Sequence, residues 1–432
     1  MLDEPHAKSR LFLLLLPVVA VAWIWSPGLP VLWEPSADQV DVAVGRMLFN
    51  HRWRPNDVLA GGDGVGPVFN ANSCVECHFQ GGVGGGGSNE HNVLAFMVHP
   101  APERLDVQFG LVHHKAVDVS FQESKELVGS FFPSIPGGLR IDNGCGVKFR
   151  DFNPVRFQPI NTTALFGAGW IDRISDKTIR HNRNHRAVST IVGEVVGDFE
   201  EVVHGRLRIL EDGRVGRFGW KAQFATLEEF VAAACANELG LGNPLMDQAT
   251  PVSKQDYQPN ERDLNQQQFA ALVSFVDTLP RPVQILPDAP SEHQKILLGE
   301  KLFHEIRCAS CHTPSLGGVD GIYSDLMLHR IENRKRNGGS YVDIDPVTPL
   351  PGHVPDPEEW RTPPLWGVAD SAPYFHDGRS QTLKAAIIRH GGDARHVAKA
   401  FKDLSSSGQN AIIAFLKSLK APQDALPVRD RE

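Results

Sequence analysis

Two short motifs carry the clearest chemistry in this sequence. Each has two cysteines separated by two residues and followed at once by a histidine: Cys74-Val-Glu-Cys77-His78 and Cys308-Ala-Ser-Cys311-His312. In this pattern two thiols add to the vinyl groups of one porphyrin, and the adjacent imidazole binds the iron. A redox dithiol would need a βαβ setting, and a zinc site built from both cysteine pairs would leave the histidines redundant. The sequence therefore predicts two covalently bound haem c groups, with His78 and His312 as iron ligands.

The composition is that of a folded chain rather than a disordered or multi-span one. Of 432 residues, 41% are apolar and 22% are charged, which is close to globular averages. The 43 basic and 51 acidic residues give a net charge of −8. No broad basic surface is expected, so the composition argues against a nucleic-acid partner.

Residues 1–35 have the layout of a signal peptide or an N-terminal membrane anchor. Lys8 and Arg10 precede an apolar run of 15 residues over 11–25, which is the order of an export signal. No clear cleavage site follows the run, so both alternatives stay open. Either one places the body of the protein in the periplasm, free or tethered to the inner membrane.

The two motifs lie inside a longer internal repeat. Gly45-Arg-Met-Leu-Phe49 parallels Gly299-Glu-Lys-Leu-Phe303, and Phe69 and Phe303 each precede the first cysteine of a motif by five residues. Further downstream, three more pairs match: 165–167 with 365–367, 225–229 with 381–385, and 263–275 with 403–415. The last pair has apolar residues at helical spacing. We therefore expect a mainly α fold with two c-type cytochrome domains related by internal duplication.

The two halves differ in length, because the first carries a large insertion. Glycine-rich residues 81–87 begin it, and alternating residues near 206–213 predict a β-hairpin. The insertion is therefore expected to be irregular and β-containing. The predicted organisation is 1–35 signal or anchor, 36–280 first cytochrome domain with the insertion at about 85–215, 281–290 linker, 291–425 second cytochrome domain and 426–432 charged tail.

Together with the two motifs, Arg361-Thr-Pro-Pro-Leu-Trp-Gly-Val-Ala-Asp-Ser-Ala-Pro-Tyr-Phe-His-Asp-Gly378 resembles the bacterial di-haem cytochrome c peroxidase superfamily. Residues 216–227 and 323–329 are similar to its branch called di-haem oxidoreductase, also labelled thiol-oxidoreductase-like. The resemblance covers about 40–420. It implies an enzyme that reduces hydrogen peroxide at one haem and receives electrons at the other. The donor would be a small redox protein, a cytochrome c or a cupredoxin, and calcium between the domains is a further cofactor that the resemblance raises.

The resemblance also points to a second axial ligand for the second haem. The family places it 14 residues after His376, which here is His390. The alternative is that His390 only caps a helix before Gly391-Gly392. Eight residues after Thr226, where the repeat would put the equivalent ligand of the first haem, stands Ala234, which cannot bind iron. The first haem therefore has an open position or a ligand from the insertion, for which the candidates are His91, Met97 and His99.

Peroxide cleavage needs an acid–base group beside the open iron. Glu238 lies nearest the position of the family's glutamate, Glu229 is the alternative, and Asp172 is a second-line candidate. Trp220 falls near the family's tryptophan that relays electrons between the haems. The competing interpretations are a solvated helix face for the glutamates and core packing for Trp220.

The remaining polar clusters have plainer interpretations. Cys145 and Cys235 either pair or stay as buried thiols, with the thiols favoured. His181 and His185 stand among arginines, so a solvated basic face is favoured over a metal site. The basic residues of 330–336 suit an exposed loop or a surface that docks an acidic donor.

Two other functions remain open on the sequence alone. One is a di-haem oxidase or oxygenase that acts on a protein or an organic substrate, for which the insertion would build the surface. The other is a non-enzymatic electron-transfer cytochrome with both haems six-coordinate.

Overall fold

A computed structural model of the chain describes residues 39–98, 109–142, 148–182, 205–259, 261–331, 343–344 and 354–428. The signal or anchor over 1–35, His99, Cys145, His185 and most of the basic cluster lie outside these ranges. Within them, no helix combines the length and apolar character needed to cross a membrane.

Helices make up most of the regular structure in these ranges. They include α1 (Gln39–Asn50), α2 (Cys74–Cys77), α3 (Lys125–Ser130), α4 (Ala168–Asp172), α5 (Leu227–Glu238), α6 (Gln266–Asp277), α7 (Pro290–Glu305), α8 (Leu383–Arg389), α9 (Arg395–Asp403) and α10 (Ser406–Ser418). Short 3-10 turns occur at Asn89–His91, Val119–Phe121, Cys308–Ser310, Val368–Asp370 and Gly392–Ala394.

The strands form small antiparallel sheets. They are β1 (Val68–Phe69), β2 (Val93–Val98), β3 (Phe109–Val112), β4 (Lys115–Ala116), β5 (Leu139–Asp142), β6 (Lys148–Asp151), β7 (Val155–Ile160), β8 (Ser315–Leu316), β9 (Val319–Asp320), β10 (Leu328–Arg330), β11 (Asp343–Ile344) and β12 (Glu359–Arg361). The three-stranded sheets have the orders β3-β2-β7 and β11-β5-β6, and the pairs are β1-β4, β8-β9 and β10-β12. In β2, Phe96 lies opposite Gly110 and Phe157.

Six of these twelve strands, β2 to β7, lie within 85–215, the range expected to hold the insertion. The β3-β2-β7 sheet has its own small core, in which buried Phe96, Val112 and Val155 pack with Val128 and Phe132 of α3 and its C-terminal end. The expected hairpin near 206–213 is a tight turn, in which Ile209 pairs with Val215 and Gly213 donates to the Leu210 carbonyl.

The same helix pair is built twice, once in each half. α1 packs against α6, and α7 packs against α10. The backbones meet at a glycine in each case. A Cβ on Gly45 would lie 1.9 Å from the Ala271 carbonyl oxygen, and a Cβ on Gly299 would lie 2.0 Å from the Ala411 carbonyl oxygen. Only glycine allows this approach, because any side chain there would overlap the facing helix.

The close approach sets the aromatic contacts beside each motif. Phe49 lies 5.2 Å from Phe275 and 6.3 Å from His78 between ring centres. The corresponding distances from Phe303 are 5.3 Å to Phe415 and 6.3 Å to His312. Phe303 thus matches Phe49 in space. Phe69, whose spacing from the motif suggested it as the equivalent, lies instead in β1.

The helices that follow begin alike and end differently. Thr226 caps α5 and Thr382 caps α8, each by accepting a hydrogen bond from the backbone N–H three residues on. α5 continues to Glu238, whereas α8 stops at Arg389 and is followed by His390 and two glycines. His390 already leaves the helical conformation, with a ψ of 118°, and Gly392 beyond it has a φ of +48°, which favours glycine.

Replacing either contact glycine by alanine should separate its helix pair. For Gly45→Ala and Gly299→Ala we expect the free energy of unfolding to fall by about 1–3 kcal/mol, because the new methyl group has no space. Gly129→Ala is the control, since nothing lies within 4 Å of its Cβ position. It should be neutral or stabilise α3 by up to about 1 kcal/mol. Chemical denaturation measures all three, and equal stabilities for Gly45→Ala and wild type would contradict the contact.

Candidate haem-binding and redox site

The first motif forms a single helical turn that fixes its histidine. Cys74 and Cys77 lie on α2, and the His78 backbone N–H donates to the Cys74 carbonyl. The His78 Nδ1 lies 3.1 Å from the Gly85 carbonyl oxygen. A carbonyl can only accept, so Nδ1 carries the proton and Nε2 keeps its lone pair. Burial lowers the pKa of His78 to about 4. The imidazole is therefore neutral and suited to binding a metal through Nε2.

The second motif repeats this arrangement. Cys308 and Cys311 lie on a 3-10 turn and its end, and His312 Nδ1 lies 3.1 Å from the Tyr323 carbonyl oxygen. Burial, followed by the nearby His390, lowers the pKa of His312 to about 4. Both motifs thus present two thiols and one oriented, neutral imidazole, which is the donor set that haem c requires.

A cavity of about 260 Å³ adjoins the second motif. Cys308, Cys311 and His312 form one part of its wall, and His390 forms another. The ring centres of His312 and His390 are 6.4 Å apart. Two metal–nitrogen bonds of about 2 Å, plus the distance from each nitrogen to its ring centre, come to about 6 Å. The separation therefore fits two imidazoles that bind one metal from opposite sides.

The short helix α8 brings His390 into this position. His390 is its C-terminal cap, and the Nδ1 atom lies 2.8 Å from the Ala386 carbonyl oxygen. The Nε2 atom is thus again the one available to a metal. The sequence offered helix capping as the alternative to iron binding for His390. The structure shows the cap, and the same side chain also has the geometry of a ligand.

The first half offers no imidazole at the equivalent point. Ala234 lies within α5, in the middle of a helix that runs past it. Two of the insertion candidates lie in the described residues. The His91 ring packs edge-on to that of Phe79, the residue after His78, at 5.7 Å between ring centres. Met97 lies on β2, paired with Phe109 on one side and Arg156 on the other.

Glu238 lies beside the first motif. Burial, followed by the negative charge of Glu238, raises the pKa of Cys77, and burial, followed by Cys235 one turn earlier on α5, raises the pKa of Cys74. Cys235 also packs in the same hydrophobic core as Cys74 and Cys77. The Asn70 side-chain amide donates to Glu238 Oε2 at 2.7 Å, and the Asn70 backbone N–H donates to the Glu238 carbonyl. Burial raises the pKa of Glu238 above its ordinary value.

The two other acidic candidates have capping functions. Glu229 completes the capping box of α5 with Thr226, and its second oxygen pairs with Arg214 at 2.5 Å. Asp172 accepts from the Leu227 backbone N–H at 2.8 Å, at the first residue of α5. Both carboxylates hold the start of the helix whose other end carries Glu238.

Trp220 lies in the cavity wall of the second half. Its indole N–H donates to the Asn161 carbonyl at 2.8 Å, and its ring meets His376 edge-on at 6.3 Å. Trp220 precedes Thr226 by six residues, and His376 precedes Thr382 by six. The structure thus brings together two side chains that occupy the same place in the repeat.

Trp360 is a site residue that the sequence analysis missed. Its ring stacks on His376 at 3.4 Å, with 4° between the planes, and the ammonium of Lys221 lies 3.5 Å above its ring centre. Lys221 also donates to the carbonyls of Pro357 and Glu359. Trp360 has no repeat partner or motif spacing. In the sequence it is marked only by its position directly before residues 361–378, the segment that resembles the family.

His376 is held as a neutral imidazole in this stack. Its Nε2 atom accepts from the Gln158 amide at 2.9 Å and from Arg379 at 3.3 Å. Burial, Arg379 and Lys221 lower the pKa of His376 well below the usual range. Gln158 belongs to β7, so the insertion sheet reaches the cavity of the second half through this contact.

A second missed pair is buried behind the second motif. His329 Nε2 lies 2.9 Å from Asp325, and its Nδ1 lies 3.5 Å from Cys311 Sγ. Asp325 raises the pKa of His329 against the effect of burial. Both residues fall within 323–329, a segment singled out for its family likeness and not for these side chains.

Comparison with known proteins gives a family and several distant likenesses. A curated relative, cytochrome c551 peroxidase of Nitrosomonas europaea, is 26% identical over 159 residues, which are 35% of this chain and 44% of that protein. The chain thus matches less than half the length of this relative.

Two solved structures are similar at low TM-scores. Hydrazine synthase of Kuenenia stuttgartiensis has 13% identity and a TM-score of 0.41, and covers 96% of this chain and 100% of its own. A MauG-like protein associated with microbial copper homeostasis has 17% identity and a TM-score of 0.39, with coverage of 92% and 95%. At these TM-scores the two structures assign neither a fold nor a function to this chain.

The family model described as "Di-haem oxidoreductase, putative peroxidase" matches residues 153–419. This range is more than half of the chain and includes Trp220, Glu238, the second motif and His390. The first motif precedes it. The chain therefore belongs to the di-haem oxidoreductase family.

Proposed function

We propose that this chain is a di-haem c-type peroxidase, which reduces hydrogen peroxide with electrons from a cytochrome c or a cupredoxin. The observation that carries the proposal is the difference between two otherwise alike motifs. His312 faces His390 across the second cavity, whereas α5 of the first half offers Ala234 and ends at Glu238, whose carboxylate accepts from Asn70, four residues before Cys74. One site thus has two imidazoles, and the other has an acid.

Haem c bound at Cys74, Cys77 and His78 and at Cys308, Cys311 and His312 would supply the redox-active irons. The proposed architecture is two c-type cytochrome domains related by duplication. The matching glycine contacts and aromatic distances of the two helix pairs support it. The periplasm is the proposed compartment, and this rests on residues 1–35 alone.

Glu238 is the proposed acid–base group of the first site. Reduction of hydrogen peroxide to two waters consumes two electrons and two protons. The Glu238 carboxylate would take a proton from one peroxide oxygen and return it to the leaving oxygen, while solvent supplies the two protons that are consumed. A raised pKa suits this exchange because the carboxyl group then gains and loses its proton more readily near neutral pH.

Trp220 and His376 are the proposed route between the halves. Trp220 is fixed by its bond to Asn161 and meets His376 within the wall of the second cavity. Asn161 also donates its backbone N–H to the His376 carbonyl. The indole is thus held in one orientation relative to the second site.

The direct test of His390 is spectroscopic. Electron paramagnetic resonance of the oxidised wild-type protein should show one high-spin and one low-spin haem, and only the high-spin signal should respond to peroxide. His390→Ala should convert the low-spin signal to high spin, because a strong-field ligand is lost. His396→Ala, at an exposed position on the same cavity, is the control and should leave it unchanged. Two low-spin haems indifferent to peroxide would instead favour an electron carrier.

The acid–base proposal is tested by two matched glutamate variants. Glu238→Gln should lower kcat for peroxide by about 10²–10⁴-fold, the usual contribution of a positioned acid–base group. Glu229→Gln should retain turnover, because the amide oxygen can still accept the bonds of the capping box. Steady-state turnover with a reduced cytochrome measures both. Equal losses in the two variants would assign the effect to α5 and not to Glu238.

The hydrogen bond from Asn70 gives an independent pH test. It stabilises the ionised carboxylate of Glu238 and so holds down a pKa that burial raises. Peroxide cleavage needs that ionised form, so kcat/KM should fall as the pH drops through the Glu238 pKa. Asn70→Ala should raise this pKa and move the acidic limb of the profile to higher pH. An unchanged limb would remove Asn70 from the site.

A further inference from the structure

Arg361 is a buried cation in the wall of the second cavity. Its residue is 6% exposed and lies on β12, next to Trp360. Its Nε donates to the Gly219 carbonyl at 2.8 Å, and one terminal nitrogen lies 3.5 Å from the Thr362 carbonyl oxygen. Burial lowers its pKa to about 10.

No carboxylate in the described part of the chain pairs with Arg361. The surrounding cations differ in this respect. Arg206 makes a two-point pair with Glu359, Arg330 pairs with Asp356, and Arg379 pairs with Asp377. Each of those guanidinium groups is also more exposed than that of Arg361.

An uncompensated buried guanidinium is costly, because removal of its charge from water costs several kcal/mol. Carbonyl bonds satisfy only some of its five N–H donors. The fork of a guanidinium matches a carboxylate in shape and charge. The remaining donors lie at a cavity whose other walls carry Cys308, Cys311 and His312.

We propose that Arg361 anchors a carboxylate-binding site in this cavity and that its occupant is a propionate group of the haem bound at the second motif. The inference rests on the second haem of the proposed function and not on peroxide chemistry. The haem brings two carboxylates into a cavity that is otherwise largely apolar. Arg361 would neutralise one of them, orient the porphyrin relative to β12 and offset the cost of its own burial.

The pairing has a consequence for the redox equilibrium of the second haem. When the cation is lost, an unpaired negative charge remains near the iron and favours the ferric form. Arg361→Gln removes the charge but keeps a donor for the Gly219 carbonyl. We expect about a tenfold shift of the ferrous–ferric equilibrium towards ferric haem, which is about 59 mV to lower potential for one electron. Arg361→Lys should shift it by less than half as much, because the charge remains.

The measurement is spectroelectrochemical titration of each haem in the holoprotein, without peroxide. Arg217→Gln is the matched control, since Arg217 is 5% exposed on the adjoining loop but pairs with Asp176. It should leave the potential of the second haem unchanged. A wild-type potential in Arg361→Gln, with both haems attached by mass, would overturn the proposal. So would equal shifts in Arg361→Gln and Arg361→Lys, because geometry and not charge would then be responsible.

A second readout covers the case in which Arg361→Gln does not accumulate. The propionate bending band in the resonance Raman spectrum reports hydrogen bonding to the carboxylate. It should move in Arg361→Lys, where an ammonium replaces the guanidinium, and an unchanged band would refute the contact. Since neither measurement uses peroxide, failure of the peroxidase proposal would be seen separately.

Discussion

The architecture of both halves depends on a backbone contact that only glycine permits. At Gly45 and Gly299 one helix approaches the carbonyl of the facing helix so closely that a methyl group has no room. The approach places Phe49 and Phe303 at the same distance from the motif histidines. Each histidine is then held through Nδ1 by a backbone carbonyl, so the atom left for a metal is set before any cofactor binds. The donor geometry thus results from helix packing on one side of each histidine and from the loop carbonyls of Gly85 and Tyr323 on the other.

The two sites diverge where the helices after the motifs end. α5 and α8 start from equivalent threonine caps, but α8 ends at Arg389 and presents its C-terminal cap, His390, to the cavity. α5 runs on and carries Glu238 to the first motif, where Asn70 fixes the carboxylate. A difference of a few helical residues therefore exchanges an imidazole for a carboxyl group. That exchange is the physical basis for the division between electron entry and substrate chemistry that we propose.

The contact region between the halves is aromatic and tightly bonded. Trp220 and His376, which hold the same place in the repeat, meet edge to face, and Trp360 stacks on His376 under the ammonium of Lys221. Gln158 of the insertion sheet reaches the same imidazole. The insertion thus contributes Asn161 to the wall of the second cavity, although it belongs to the first half of the sequence.

The sequence by itself determined the two attachment motifs, the repeat around them, the closing helices and the position of His390. These are local: haem attachment needs fixed spacing, and helix periodicity and caps depend on neighbouring residues. The sequence could not decide whether Glu238 or Glu229 is the acid–base candidate. The decision depends on which carboxylate is already bonded in the N-terminal cap of α5, and that is Glu229. The sequence also offered both Phe49 and Phe69 as counterparts of Phe303, and only the path of the chain showed that Phe49 is the one at the equivalent position. Trp360, the Asp325–His329 pair and the lone charge of Arg361 were decided only by tertiary structure. Their environment comes from strands and loops far away in sequence, and burial, which gives a charge or a ring its chemical character, has no local signal.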